Sequence, residues 1–164
     1  MVRIGVVSDI HGDYHTLAAL IRRLQPLDLL IHAGDGATEI ERLSRYFPAV
    51  LIRAVIGNCD FPAFTGSPYS KESFFSLEGW KIFLTHGHLY GVKADLGRIR
   101  AHGRRLGADL IIFGHTHLPF FEKEGDVTLF NPGSLSTVRC YKQPSYGLLE
   151  VTPQGINGQI LYVE

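Results

Sequence analysis

Residues 4–11 read Ile4-Gly5-Val6-Val7-Ser8-Asp9-Ile10-His11, an apolar run that ends in a carboxylate and an imidazole side chain. The pattern recurs, because four more turns carry Asp, Asn or His and almost all of them follow a short apolar run. These turns are Gly34-Asp35, Gly57-Asn58-Cys59-Asp60, His86-Gly87-His88 and Gly114-His115-Thr116-His117. Such continuous apolar runs are typical of buried strands. If the strands lie side by side, the turns meet at one edge of a sheet and gather the oxygen and nitrogen ligands of a divalent metal.

The composition is that of an ordinary globular protein and excludes several classes of function. The 164 residues suffice for one domain over 1–164, and 45% of them are hydrophobic and 20% charged. The 16 basic and 16 acidic residues cancel, so we expect no basic face for stable nucleic-acid binding. The apolar runs are too short to span a membrane, so no membrane partner is expected. The sequence leaves the oligomeric state open, a homo-oligomer included.

The start of the chain and its cysteines favour a cytoplasmic location. Met1-Val2-Arg3-Ile4 leads directly into the first predicted strand, which does not fit a signal peptide. Cys59 and Cys140 are too few for a disulfide framework, and no Cys-x-x-Cys pair is present for a structural zinc knuckle. We therefore expect a protein of a reducing compartment, the cytoplasm.

Helices alternate with strands before residue 117, and strands dominate after it. The patterns predict strands at 3–8, 28–32, 50–56, 73–77, 80–85 and from 110, helices at 14–24, 38–46 and 93–106, and a loop at 61–71. Thr38 and Glu41 fit a capping box at the start of the second helix. Later hairpins are predicted to turn at 124–126, 154–155 and 157–158. This order predicts an α/β fold, a four-layer α/β/β/α sandwich of two mixed sheets flanked by helices.

The spacing of the polar side chains favours a metal site. Asp9 and His11 are two residues apart, and in extended backbone such side chains point the same way. The same spacing holds for the pairs 86/88 and 115/117. One Asp-x-His alone is a weak signal, because turns are rich in Asp. Several such turns at strand ends favour a metal site over polar loops that satisfy their own hydrogen bonds.

This ordered set of turns resembles that of the calcineurin-like metallophosphoesterase superfamily. The turn Asn131-Pro132-Gly133-Ser134 is similar to that of its small, cap-less bacterial and archaeal phosphodiesterases. The resemblance implies two divalent metals, with manganese favoured and nickel, zinc, iron or cobalt also suited. Carried over by motif, the first metal is held by Asp9, His11, Asp35 and His117, and the second by Asp35, Asn58, His86 and His115. Asp35 would bridge the two, and a metal-bridging hydroxide would attack a small phosphate diester directly.

The catalytic acid is the part of the pattern that departs from the family. Many members have His where this chain has Cys59, and that His protonates the leaving group and grips the phosphate. The role would pass to His88 or to water, and Cys59 is expected to be a small buried turn residue. His88 could equally stabilise its turn, and Arg139 could meet substrate or form a surface salt bridge. The candidate catalytic residues are Asn58, His88 and Cys59, and the candidate substrate contacts are Asn58, His88 and Arg139.

A rival interpretation is a protein-binding scaffold of the same fold, similar to the retromer subunit that has lost part of the ligand pattern. The feature that separates the two hypotheses is the completeness of the ligand set. All seven positions of this chain carry competent ligands, which favours an enzyme. Asp13 and Asp60 are expected to shape turns or to orient the ligands.

Overall fold

Two five-stranded sheets form the centre of the computed structural model, which describes residues 1–60 and 68–164. Most of the predicted loop at 61–71 therefore lies outside the described residues. With strands numbered in chain order, the first sheet runs β10 (Gly155–Tyr162), β9 (Ser145–Thr152), β1 (Val2–Val7), β2 (Leu29–Ala33) and β3 (Ile52–Val55). Strands β1, β2 and β3 are parallel to one another, whereas β9 and β10 are antiparallel to their neighbours.

The second sheet has the same mixed character. In spatial order its strands are β4 (Glu72–Leu77), β5 (Trp80–Thr85), β6 (Leu110–Ile112), β8 (Val127–Pro132) and β7 (Pro119–Glu124). The three inner strands β5, β6 and β8 are parallel, and the edge strands β4 and β7 are antiparallel to their neighbours. Each sheet thus has three parallel strands whose carboxyl ends can carry functional turns.

Three apolar clusters separate four layers. The helices are α1 (Tyr14–Leu24), α2 (Ala37–Tyr46) and α3 (Gly97–Leu106). The first cluster packs Leu17 of α1 and Ile40 of α2 against the first sheet. The second fills the space between the sheets with residues such as Val6 and Ile112, and the third packs Ile99 of α3 on the second sheet. Each buried side chain of this kind contributes about 1.5–3 kcal/mol to stability. The predicted α/β/β/α sandwich is confirmed.

Helix α1 follows directly from its sequence. The side chain of Asp13 accepts the backbone N–H of Thr16 at 3.2 Å and so caps the first turn. Leu17, Leu20 and Ile21 recur at helical spacing and are all buried. The predicted bounds of 14–24 are confirmed. None of the helices in the described ranges has the length and hydropathy that a membrane crossing requires.

The predicted capping box of α2 is wrong. The helix begins at Ala37, one residue before Thr38. Its N-cap is Gly36, which has no side chain to accept a hydrogen bond from the helix. The first free amides of the helix, those of Gly36 and Ala37, both donate to Asp60 Oδ1 at 2.9 Å. A carboxylate from a distant turn therefore caps the start of the helix, in place of the reciprocal Thr38–Glu41 hydrogen bonds that the sequence predicts.

Two other local predictions are also wrong. The third helix was expected from residue 93 but begins at Gly97, because the Asp95 side chain accepts the Gly97 N–H at 2.7 Å and holds a turn before it. Residues 157–158 are not a hairpin turn, since β10 runs through them in register with β9. At the second of these residues, a Cβ would lie 2.9 Å from the Phe121 ring, so this glycine serves close packing.

Gly147 of β9 permits the close approach of the two sheets. A Cβ at this position would lie 2.4 Å from Cε1 of Phe130, a buried ring of the second sheet. We expect Gly147→Ala to lower the free energy of unfolding by about 1–3 kcal/mol, because the overpacked core must shift. The measurement is urea unfolding beside Gly155→Ala, whose added Cβ meets no heavy atom within 4 Å. Equal unfolding midpoints for the two variants would contradict this account of the packing.

Candidate metal centre

The ligand-bearing turns come from two sheets whose edges meet. Three turns follow β1, β2 and β3 of the first sheet, and two follow β5 and β6 of the second. Hydrogen bonds join the sheets: the His115 N–H donates to Asp9 Oδ2 at 3.0 Å, and His86 Nδ1 lies 2.7 Å from the Ala33 carbonyl oxygen. The sequence analysis expected all the turns at the edge of one sheet. They instead lie where the edges of two sheets meet, which is here called the seam.

The backbone of these turns is left-handed, which corrects the expectation of extended backbone at the Asp-x-His and His-x-His pairs. Six described residues other than glycine have φ in this region, and five of them are predicted ligands. They are Asp9 (φ 53°), His11 (45°), Asp35 (59°), His115 (68°) and His117 (60°). Such φ values are uncommon for residues with a Cβ and persist only where the surroundings impose them. The strain supports a functional role for these turns.

One half of the centre gathers Asp9, His11 and His117. Asp9 Oδ1 lies 3.1 Å from His117 Nε2 and 3.6 Å from His11 Nε2, and the two ring nitrogens are 3.3 Å apart. His117 Nδ1 lies 2.7 Å from the Arg139 carbonyl oxygen, which can only accept, so Nδ1 carries the proton. In the neutral ring, Nε2 then carries a lone pair, and this lone pair faces the Asp9 carboxylate. Among the described residues Asp9 Oδ1 is buried without a hydrogen-bond partner, as expected for a cation ligand.

The other half gathers His86, Asn58 and Asp35, with His115 beside them. His86 Nε2 lies 3.1 Å from Asn58 Oδ1 and 3.2 Å from Asp35 Oδ2. His86 Nδ1 donates to the Ala33 carbonyl, so the neutral ring again turns a lone pair toward oxygen acceptors. The His115 ring centroid is 5.0 Å from that of His86. His86 Nε2, Asn58 Oδ1 and Asp35 Oδ2 can thus all donate an electron pair to a bound cation.

Asp35 lies between the two halves through one oxygen. Its Oδ2 is 3.2 Å from His86 Nε2 and 3.7 Å from His11 Nε2. Its Oδ1 instead accepts the backbone N–H of Cys59 at 2.8 Å. Oδ2 is therefore the atom that a bridging role would use.

The electrostatics of the centre suit positive charge. Burial raises the pKa of Asp9, but the facing side chains of His11 and His117 outweigh it and the pKa falls well below its ordinary value. Burial likewise opposes ionisation of Asp35, yet His86, when its ring is protonated, lowers the pKa of this carboxyl to about 2. Burial lowers the pKa of His115 to about 4, which keeps this ring neutral. Burial opposes protonation of His86, but Asp35 outweighs it and raises its pKa, and the contact with Asp9 raises the pKa of His117. Once deprotonated, these imidazoles and the ionised carboxylates form a donor set that fits divalent cations, and metal binding would displace the ring protons.

The candidate catalytic residues lie at the open side of the centre. Cys59 is exposed rather than buried, because its turn projects beyond the strand end, and this part of the prediction is wrong. Partial desolvation and the nearby Asp35 carboxylate raise the pKa of the Cys59 thiol, which does not favour a nucleophilic thiolate. His88 begins a short 3₁₀ turn, and its ring centroid lies 5.4 Å from that of His86 and 6.1 Å from that of His115.

A cavity of about 250 Å³ opens beside the metal-binding side chains. Arg139 lines it together with His11, Asp35 and Cys59. The Arg139 guanidinium makes no hydrogen bond or ion pair within 1–60 and 68–164, and the residue is exposed. The predicted alternative, a surface salt bridge of Arg139, therefore finds no acidic partner in these ranges. The guanidinium is available to bind an anion in the cavity.

Asp60 supports the ligand turns through their backbone. Its carboxylate accepts the backbone N–H groups of Asp35 at 2.8 Å, Gly36 and Ala37 at 2.9 Å, and Gly57 at 2.7 Å. The expectation that Asp60 shapes turns is confirmed. The sequence does not indicate most of these partners, because three of the four are backbone amides of a turn more than twenty residues away.

Two serines behind Asp9 were missed by the sequence reasoning. Ser8 Oγ donates to Asp9 Oδ2 at 2.6 Å, and Ser134 Oγ donates to the Asp9 carbonyl oxygen at 2.8 Å. Both serines are buried. The only sequence signals are a serine that ends an otherwise apolar strand and one in the Asn-Pro-Gly-Ser turn. They fix the Asp9 carboxylate and backbone at the centre of the site.

We expect Asp60→Ala to weaken metal binding by about 10–100-fold, because the turn that holds Asp35 loses its support. Calorimetric titration with manganese measures the effect. Asp109→Ala is the matched control, since this carboxylate also accepts a backbone N–H, that of Lys81 at 2.8 Å, but at the far end of β6. Unchanged affinity in Asp60→Ala, or an equal loss in the control, would contradict the supporting role.

Comparison with known proteins agrees with this geometry. Residues 2–154 match the model of the calcineurin-like phosphoesterase superfamily domain. The probable metallophosphoesterase YsnB of Bacillus subtilis is 35% identical over 146 residues, which cover 88% of this chain and 81% of the relative. The phosphodiesterase YfcE of Escherichia coli is 36% identical over 176 residues, 92% of this chain and 88% of the relative.

A solved structure shows the same fold. The structure of a conserved protein from Streptococcus pneumoniae, described as a predicted phosphoesterase, superposes with a TM-score of 0.80 at 29% identity. The match covers 98% of this chain and 88% of the other. The chain belongs to the calcineurin-like phosphoesterase superfamily and is a metallophosphoesterase.

Proposed function

We propose that this protein hydrolyses small phosphate diesters with two divalent metal ions, manganese being the favoured metal. The residues that would hold the metals are Asp9, His11, Asp35, Asn58, His86, His115 and His117. The observation that carries the proposal is the position of Asp35 Oδ2, which faces His11 Nε2 at 3.7 Å and His86 Nε2 at 3.2 Å. The similarity to a protein named phosphodiesterase supports the choice of diesters. A non-catalytic scaffold would not need all seven ligands.

Bound divalent cations would supply Lewis acidity toward a phosphoryl oxygen and lower the pKa of a water. Substrate binding and proton transfer would depend on side chains of the protein. Arg139, exposed at the cavity, would bind a non-bridging phosphate oxygen, and Asn58 would contact substrate from the opposite turn. His88 is the candidate proton donor to the leaving group, because its ring lies beside those of His86 and His115. Burial and the charge of a protonated His86 lower the pKa of His88, so this role would be favoured at lower pH.

The bridging role of Asp35 has a direct test in metal content. We expect Asp35→Asn to lose metal from both positions together, because a neutral amide is a poor ligand between two cations. Replacement of His11 should mainly disturb the position shared with Asp9 and His117. The measurement is manganese per chain by elemental analysis after equilibration at fixed free metal. A fully loaded second position in Asp35→Asn would show that Asp35 does not bridge.

The charge of the site favours diesters over monoesters. Two divalent cations carry four positive charges, Asp9 and Asp35 offset two, and deprotonation of the attacking water offsets a third. About one positive charge is left, which a diester anion neutralises, whereas a monoester dianion leaves an uncompensated charge in a partly desolvated site. The described wall of the cavity adds one cationic side chain, Arg139, and two further carboxylates, Glu39 and Asp60, so it does not offer the second net positive charge that a dianion needs.

We therefore expect a higher kcat/KM for an aryl phosphodiester than for the matching aryl phosphomonoester. The comparison is made with manganese at a pH where the monoester is a dianion. Arg139→Ala should lower activity on both substrates, and more on the monoester, since the guanidinium is its only extra cation in the described cavity wall. Equal or better turnover of the monoester by the unmodified protein would refute the charge argument.

A further inference from the structure

Residues 134–140, here called the arginine loop, form a tight turn held by serine side chains. Ser136 Oγ accepts the N–H groups of Val138 at 3.3 Å and Arg139 at 3.2 Å, and its carbonyl oxygen accepts the N–H of Cys140 at 3.1 Å. Ser134 Oγ fastens the start of the loop to the Asp9 carbonyl. The loop is therefore anchored to the turn that carries Asp9, a candidate metal ligand.

Arg139 connects this loop to both parts of the site. Its carbonyl oxygen accepts the Nδ1–H of His117 at 2.7 Å, and its side chain lines the cavity. The loop has little apolar support near Arg139, because Thr137 and Arg139 are exposed and Val138 is 88% exposed. The position of the guanidinium thus depends on polar contacts of its neighbours.

Asp13 makes the contact that ties Thr137 to the rest of the protein. Asp13 Oδ2 accepts the Thr137 N–H at 3.0 Å and the Thr137 hydroxyl at 2.8 Å. Its other oxygen accepts the Thr16 N–H at 3.2 Å at the start of α1. One carboxylate therefore joins the start of α1, whose apolar side chains are buried in the core, to the residue two positions before Arg139.

We propose that Asp13 is a positioning residue for substrate: through Thr137 it holds the arginine loop so that the Arg139 guanidinium faces the phosphate. The inference rests on the proposed function, because it takes the cavity beside the metals as the phosphate site. Asp13 would touch neither substrate nor metal. Its effect would be on substrate affinity and would pass entirely through Arg139.

The test is a double-mutant cycle with two readouts, KM for an aryl phosphodiester and calorimetric binding of inorganic phosphate to the manganese-loaded protein. We expect Asp13→Ala to raise KM and the phosphate Kd by roughly tenfold, the size of one lost charge-assisted hydrogen bond, with kcat and manganese content unchanged. In an Arg139→Ala background the same change should have no further effect, because the residue that it positions is absent.

Two variants separate positioning from the helix cap. Thr137→Val leaves the α1 cap intact and should raise both constants in the same direction, and Thr137→Ser should restore them. Asp28→Ala is the control, since this exposed carboxylate accepts the Arg3 N–H at 2.7 Å far from the loop. Equal effects of Asp13→Ala in the presence and absence of Arg139, or no effect of Arg139→Ala on phosphate binding, would overturn the inference. Absence of diester hydrolysis with every metal, while phosphate binding still depends on Asp13 and Arg139, would refute the proposed function alone.

Discussion

The backbone turns of two sheets approach so closely at the metal centre that only glycine fits between them, and the arrangement of the ligands depends on this contact. A Cβ at Gly114 would lie 1.9 Å from Ser8 Oγ, and one at Gly34 would lie 2.5 Å from His86 Nδ1. Each of these glycines directly precedes a proposed ligand. Because the missing side chains let the turns meet, ligands from both sheets come within reach of the same small volume.

This closeness carries an electrostatic cost that a cation removes. When both rings are neutral, the lone pairs of His86 and His117 face the oxygens of Asp35 and Asp9 at 3.2 and 3.1 Å. The same backbone carbonyls that fix the tautomers prevent the rings from turning their N–H groups inward. Any cation that binds this set and not the unfolded chain stabilises the fold, by about 2.7 kcal/mol at a hundred times its dissociation constant. Metal binding and folding are therefore linked at this seam.

The sequence predicts the layers and the meeting of the candidate ligands at strand ends, because both depend on local pattern. An apolar run followed by a polar turn is visible residue by residue, and parallel strands place successive turns at neighbouring positions. The left-handed backbone at Asp9 and the exposure of Cys59 are not visible, because they result from how two turns pack together. Asp60 shows the limit most clearly: its carboxylate caps α2 in place of Thr38, and no local pattern connects the two turns.

The supporting residues divide the site into parts that can change separately. Asp60 and Ser8 act on the carboxylate ligands, so changes there should alter metal binding before they alter substrate binding. The arginine loop belongs to both parts of the site. The carbonyl of Arg139 orients a proposed metal ligand, and the side chain of Arg139 faces the cavity. Ser134 and Ser136 hold the backbone around that carbonyl independently of Asp13, so loss of the Asp13 contact should change affinity for phosphate before it changes the orientation of His117. The backbone of the loop is thus tied to a proposed metal ligand, whereas the Arg139 side chain faces the substrate cavity.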